Sequence, residues 1–296
     1  MRWVAGVNLE DEEAGNVVAG LVALAARAAE PPTVDLVYVA TPGGAPSWIT
    51  DPLSREALAK FANESRATDR LQLDALHRKL PESMRGGFSI EEGKPATVLA
   101  DQAKNASLIA LAGRRRGALD RLLLGSVAAK VARTVDVPVL VIPGGANPAA
   151  PTGRALFGVN LRAQDAGVGL DEAARWADRL GLALDLVHVD HERLHVPYVL
   201  DPEVRQRLDQ EWETLRDRDV TTLQDLLRRV PATRRGNPRV EEGEPSDMLC
   251  ELADAYDLVM VATHARTGME RLMVGSVAER IIPKCARPVL LLRATA

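Results

Sequence analysis

The feature that most constrains the fold of this chain is an internal repeat of about 150 residues. Five short motifs recur in the same order, four of them at an offset of 150 residues and one at an offset of 152. The paired segments are 6–9 with 158–161, 35–39 with 185–189, 91–95 with 241–245, 124–128 with 274–278 and 137–140 with 287–290. Ordered matches at one spacing indicate duplication. The 296 residues are therefore predicted to form two related domains.

A run rich in Pro, Gly and Ala at 143–151 lacks apolar periodicity and is typical of a linker. We therefore predict a first domain over residues 1–143, a linker over 144–153 and a second domain over 154–296.

Within each repeat, short apolar runs alternate with longer amphipathic stretches. In the first repeat they predict strands at 3–8, 34–40, 85–91, 107–112 and 137–142, and helices at 12–29, 52–79, 96–104 and 126–134. The second repeat follows the same order, with a long charged helix at 202–229. This alternation is typical of an α/β fold, here two tandem doubly wound domains. Each domain is expected to hold a five-stranded parallel sheet flanked by helices. We expect the strand order 3-2-1-4-5, which holds if the first strand lies centrally beside the fourth.

Composition excludes several classes of protein. Apolar residues make up 46% and charged residues 26%, as in ordinary globular proteins. No run reaches the roughly 18 apolar residues of a membrane span, and acidic residues at 10–13 argue against a signal peptide. A net charge of −4 gives no reason to expect nucleic acid or an anionic membrane as a partner. Two cysteines, Cys250 and Cys285, suit a reducing cytoplasm, where we expect the protein to act.

The predicted topology indicates where a ligand would bind. In doubly wound sheets, ligands lie outside the carboxyl ends of the strands, here at the loops after strands one and four. The fourth-strand loop of the first repeat ends in Gly125 and Ser126, directly before a helix. A Gly-Ser pair at a helix start favours an anion, because the first N–H groups of the helix are free. The alternative is simply a well-capped helix.

On these motifs the sequence resembles the universal stress protein family in its tandem-domain form. The segments that carry the resemblance are 263–280, 122–127 and 285–290. The resemblance implies a Rossmann-like fold, a role in the stress response and an intramolecular pseudo-dimer in which the last strands of the two domains meet. It leaves open whether the chain forms a further homodimer.

Nucleotide-binding members of that family carry a phosphate loop of the form Gly-x-x-Gly-x9-Gly-(Ser/Thr) and an Asp after strand one that faces adenine and ribose. This chain departs from both patterns. The two loop glycines are replaced by Ala112 and Arg115 in the first domain and by Ala262 and Ala265 in the second, and the Asp is replaced by Asn8 and Asn160. Alanine at a glycine position costs on the order of 1 kcal/mol in backbone strain.

The second domain keeps more of the family's outline, so we expect it to bind ATP weakly, or a related anion, with Mg²⁺ only together with the nucleotide. Its candidate binding residues are Asn160, Val189, Ala262, Ala265, Gly275, Ser276 and Val277. Their counterparts in the first domain are Asn8, Val39, Arg115, Gly125, Ser126 and Val127.

Other clusters have simpler explanations. His188, His191 and His195 could ligate zinc, but their spacing is unspecific and we expect a loop without a metal. The run 114–116 of three arginines is expected to be solvated. Cys250 is expected to be buried and inert, and Cys285 to be partly exposed.

The chain lacks the sequence signatures of a nucleophile elbow, a Walker A loop or a metalloprotease helix. We therefore expect a non-catalytic binding or signalling module of the stress response. Two alternatives stay open. One is an adenine-nucleotide-hydrolysing enzyme of the same superfamily, and the other is a ligand-free scaffold that docks partners on the helices 52–79 and 202–229.

Overall fold

The computed structural model of the chain describes residues 1–10, 14–40, 50–113, 126–144, 151–163, 166–191, 201–264 and 275–294. The first half contains β1 (Arg2–Val7), α1 (Ala14–Ala25), β2 (Thr33–Ala40), α2 (Pro52–Arg78), β3 (Arg85–Glu92), α3 (Pro95–Ala103), β4 (Leu108–Gly113), α4 (Ser126–Thr134) and β5 (Val139–Pro143). The second half contains β6 (Arg154–Gly158), α5 (Leu170–Leu180), β7 (Ala183–Asp190), α6 (Pro202–Leu227), β8 (Arg235–Glu242), α7 (Pro245–Leu252), β9 (Leu258–His264), α8 (Ser276–Lys284) and β10 (Val289–Ala294).

All ten strands form one sheet in the order β3-β2-β1-β4-β5-β10-β9-β6-β7-β8. Each half has the predicted order 3-2-1-4-5, and its strands are parallel. The halves join where β5 and β10 pair antiparallel, with Leu140 opposite Leu290. The last strands therefore form the contact between the two repeats, as predicted.

Helices cover both faces of the sheet, and side chains from both halves share each of the two core layers. Trp3 of β1 and Trp176 of α5 are both fully buried, and their ring centroids lie 6.1 Å apart. This contact packs the second half against the first on one face of the sheet. None of the described helices has the length and apolar character that crossing a membrane requires.

Two predicted boundaries were wrong by a few residues. Helix α1 ends at Ala25 and not at residue 29, because the chain must turn before the Thr33 amide can donate to the Met1 carbonyl at 2.7 Å and start β2. Strand β5 begins at Val139, since Pro138 has no N–H to donate to the sheet.

The repeated motif that begins with Asp35 and Asp185 has a structural explanation. Each carboxylate accepts a hydrogen bond from the backbone at the start of the third strand of its half, from Gly87 N at 2.6 Å and from Asn237 N at 2.9 Å. A Cβ atom on the preceding glycine, Gly86 or Gly236, would lie about 2 Å from the Asp oxygen. The duplication therefore preserves a bond that fastens the second strand to the third.

Candidate functional site

A cavity of about 430 Å³ opens at the carboxyl edge of the second half of the sheet. It lies between the ends of β6 and β7 and the starts of α7 and α8. Its lining residues are Gly158, Val159, Asn160, Val187, His188, Val189, His191, Glu244, Pro245, Leu249, Val261, Ala262, Gly275, Ser276, Val277, Ala278 and Arg280. The size falls within the roughly 300–1,000 Å³ of small-molecule sites.

The start of α8 supplies the anion-favouring part of this cavity. Gly275 precedes the helix with φ +93°, a conformation that L-residues rarely adopt. Its carbonyl accepts the Glu279 N–H at 2.9 Å, which begins the helical ladder and leaves the first N–H groups of α8 without helical partners. Those N–H groups and the helix dipole favour a negative group beside Ser276 and Val277.

An ion pair lies at the mouth of the cavity. Arg280 of α8 donates to Glu244, which precedes α7, at 2.9 Å, and both side chains are about half exposed. The corresponding residues of the first domain, at an offset of 150, are Lys130 and Lys94. The second domain therefore places a carboxylate beside its basic group, where the first domain carries two cations.

The turn after β6 carries the candidate residue Asn160. Its Oδ1 accepts the Arg162 N–H at 3.0 Å, and in the first domain Asn8 Oδ1 accepts the Glu10 N–H at 3.4 Å. Asparagine therefore closes the same short turn in both halves. Because this bond uses Oδ1, the amide NH₂ of Asn160 is the group left to meet a ligand.

A cluster of charged side chains anchors this turn to the rest of the second half. The Arg162 guanidinium donates to Asp190 at 2.6 Å and to both oxygens of Asp219, at 2.9 and 2.8 Å. Asp190 ends β7, whereas Asp219 lies on α6. The neighbouring His188 is buried, and this burial lowers the pKa of its imidazole.

The sequence model of the universal stress protein family matches residues 4–143 and again residues 153–293. The chain belongs to the universal stress protein family. It is 29% identical over 205 residues to a universal stress protein of Mycolicibacterium smegmatis, a match that covers 69% of this chain and 67% of that protein. A relative from Mycobacterium tuberculosis is 28% identical over 205 residues, which cover 68% of this chain and 63% of the relative. The alignments thus span about two thirds of the length of these relatives.

Among solved structures, a universal stress protein from Archaeoglobus fulgidus superposes with a TM-score of 0.62. The superposition covers 99% of this chain and 96% of the Archaeoglobus chain, at 16% sequence identity. At that identity the likeness shows the fold alone.

Most of the candidate residues of the second domain meet at one place in this universal stress protein. The cavity is lined by Asn160, Val189, Ala262, Gly275, Ser276 and Val277. Ala265 lies outside the described residues, as do Arg115 and Gly125 in the first domain. Of the other first-domain candidates, Asn8 follows β1, Val39 lies in β2, and Ser126 and Val127 begin α4.

Sequence reasoning missed the wall of the cavity formed by Glu244, Pro245, Leu249 and Arg280. The signal that could have found it is the repeated motif at 91–95 and 241–245, which ends the third strand at the same carboxyl edge. Two of the three histidines considered as zinc ligands lie within the described residues. His188 is buried and His191 lines the cavity, whereas His195 lies outside the described residues.

The expected burial of Cys250 and the expected partial exposure of Cys285 were both wrong. Cys285 is buried and Cys250 is only half-buried, because the end of α8 packs against α7. The Ile281 carbonyl accepts from the Cys285 N–H at 2.8 Å and from the Cys250 thiol at 3.8 Å. Interaction with the neighbouring Cys285 thiol, together with burial, raises the pKa of Cys250, whereas interaction with Cys250 lowers the pKa of Cys285. The arginine run 114–116 lies outside the described residues.

Proposed function

We propose that this universal stress protein is a non-catalytic, cytoplasmic binding module of the stress response, and that its second domain binds an adenine nucleotide. The observation that carries the proposal is the cavity at the carboxyl edge, where the start of α8 meets the turn at Asn160 and an apolar wall.

The lining of the cavity contains both polar and apolar side chains. In our proposal the phosphates lie against the first turn of α8, near Ser276, with Arg280 as a neutralising cation. The base lies against the apolar side chains of Val187, Val189 and Leu249. The amide of Asn160 is within the same lining and can hydrogen-bond the ribose or the base.

Two features of the lining point to weak binding. Ala262 stands where nucleotide-binding relatives are expected to have the first loop glycine. Alanine has less backbone freedom than glycine at this position. Glu244 competes with phosphate for Arg280, since the two side chains already pair at 2.9 Å. An incoming phosphate must therefore displace this ion pair.

The proposal is tested by isothermal titration of the full chain with ATP and Mg²⁺. Arg280→Gln should weaken binding by roughly tenfold, because a charge-assisted hydrogen bond contributes about 1.5–3 kcal/mol. The matched control is Lys130→Gln at the equivalent position of α4, which should leave the affinity unchanged. No heat and no thermal shift at millimolar ATP would refute the proposal.

Mass spectrometry of ligands released from gently purified protein separates the alternatives. Bound nucleotide supports a sensing module. A single-turnover assay that converts bound ATP to ADP and phosphate would instead identify a hydrolase. Protein that is empty and stays empty on titration would favour the scaffold, with α2 and α6 as its docking helices.

A further inference from the structure

The second half contains a buried group of three side chains that can ligate a metal. His188 and Asp190 lie on the same face at the end of β7, because side chains two residues apart point the same way along a strand. Asp219 faces them from α6. The three are 2%, 2% and 6% exposed. One potential ligand atom from each lies within 4.8 Å of the other two.

The imidazole of His188 is oriented for this role. Its Nδ1 lies 3.1 Å from the Val159 carbonyl oxygen and 3.5 Å from the Leu161 N–H. The shorter contact favours the tautomer in which Nδ1–H donates to Val159 and Nε2 carries the lone pair. Nε2 is buried and has no hydrogen-bond partner among the residues that the structure describes. It lies 4.0 Å from Asp190 Oδ2. Metal-ligating histidines typically hold this arrangement, with one ring nitrogen on a carbonyl or carboxylate and the other on the metal.

A resident cation already compensates the two carboxylates. Arg162 donates to both, and with 27% of its side chain exposed it is much more accessible than either partner. A bound divalent ion would neutralise the same two negative charges and would also satisfy Nε2, which the guanidinium leaves without a partner. The Arg162 side chain has a route to solvent when it is displaced.

The first domain does not carry this ligand set, although it has the same fold. Tyr38 and Ala40 occupy the positions of His188 and Asp190, as the shared register of β2 with β3 and of β7 with β8 shows. Glu10 stands at the position of Arg162 and faces Asp69, whose pKa is raised by burial and by this charge. The differences provide substitutions that the fold is known to accommodate.

We propose that the second domain binds one zinc ion, or a similar borderline divalent cation, through His188 Nε2 and the carboxylates of Asp190 and Asp219, with Arg162 displaced. One imidazole nitrogen and two carboxylate oxygens form a ligand set that Zn²⁺ accepts, and water completes the coordination. Val187 and Val189 lie on the opposite face of β7 from Asp190, and neither Asp190 nor Asp219 lines the cavity, whereas His188 does, so the metal site adjoins the proposed nucleotide subsite.

The test is equilibrium dialysis of the full chain against ZnCl₂, with bound metal counted by inductively coupled plasma mass spectrometry. A chromogenic chelator in competition gives the affinity. We expect one zinc per chain. His188→Tyr, the residue that the first domain carries, should lower the affinity by at least about tenfold, and Asp219→Asn should also lower it. Arg162→Gln should raise it, because the competing cation is gone.

Asp69→Asn in the first domain is the matched control and should bind zinc as the parent does. Circular dichroism melting confirms that each variant is folded, and Co²⁺ substitution reports through its visible absorption whether a histidine nitrogen is in the coordination sphere. Zinc that survives both His188→Tyr and Asp219→Asn would overturn the proposal. The proposal would also be overturned if the Arg162→Gln variant bound zinc and the parent protein did not, because Arg162 would then occupy the site permanently.

Discussion

Replacing Asp185 by alanine should destabilise the protein much more than the same change at Asp35, although the two residues occupy equivalent positions in the repeat. Asp185 is fully buried and accepts hydrogen bonds from Asn237 N at 2.9 Å, from the Tyr256 hydroxyl at 2.7 Å and from Arg154. Asp35 is 21% exposed in its side chain and accepts from Gly87 N, in an exposed hydrogen bond, and from Arg2, whose side chain is 38% exposed.

The difference follows from what each deletion leaves behind. Without Asp185, the hydroxyl of Tyr256 loses an acceptor in a site where only 1% of the tyrosine is exposed, which costs about 1–3 kcal/mol. Loss of the hydrogen bond from the Asn237 N–H costs only about 1 kcal/mol more, because this N–H lies near solvent. Arg154 adds little, since its side chain is 41% exposed and can turn to water. The sum is about 3 kcal/mol.

At Asp35 the corresponding sum is about 1 kcal/mol. Ala106 stands where the second domain has Tyr256, so no buried hydroxyl is left without an acceptor. The Arg2 side chain is 38% exposed and is solvated once the carboxylate is gone. We therefore expect a gap of about 2 kcal/mol between the two variants.

Urea unfolding of the full chain, followed by circular dichroism, measures both costs against one reference. Tyr256→Phe completes a double-mutant cycle with Asp185→Ala, and its coupling energy should be about 1 kcal/mol or more. If Asp35→Ala and Asp185→Ala cost the same within about 0.5 kcal/mol, the buried tyrosine does not set the difference and the reasoning fails.

Two substitutions and one labelling experiment probe the cavity, the junction of the two halves and the Cys285 thiol. Gly275→Ala should cost roughly 1–2 kcal/mol, because alanine at φ +93° is strained, and calorimetry should show a lower Tm; an unchanged Tm would mean that the helix start relaxes freely. Leu290→Ala at the junction of β5 and β10 should cost about 2–5 kcal/mol in urea unfolding, since this side chain is 1% exposed; a smaller loss would show that the halves separate easily. Cys285 is 4% exposed and should react with iodoacetamide much more slowly in native protein than in urea, as followed by mass spectrometry. Equal rates would show that the end of α8 opens readily.

The frame of the fold was predictable from the sequence because burial imposes local periodicity. Helix α4 has the predicted bounds of 126–134, and alternation and repeat together predicted the five parallel strands that each half contains. A cavity lies at the edge of the sheet where a ligand was expected, and binding there stays a prediction. What could not be predicted are contacts between side chains brought together by packing. Asp219 meets Asp190 from a helix 29 residues further along the chain, and Cys250 meets the end of α8 only because α7 lies beside it.

The antiparallel junction has a consequence for how the two domains can communicate. Strands within each half are parallel, but β5 and β10 run in opposite directions, so the carboxyl ends of the two halves face opposite edges of the sheet. One small ligand therefore cannot bridge both edges. One route for coupling lies at the junction, where Arg133 of α4 pairs with Glu279 of α8 at 2.8 Å. Glu279 lies in the first turn of the helix whose start lines the cavity, so a ligand there has a direct mechanical route to α4. Glu279→Gln should thus alter communication between the halves without removing any residue that lines the cavity, and amide hydrogen exchange in α4, with and without ATP, would show whether it does.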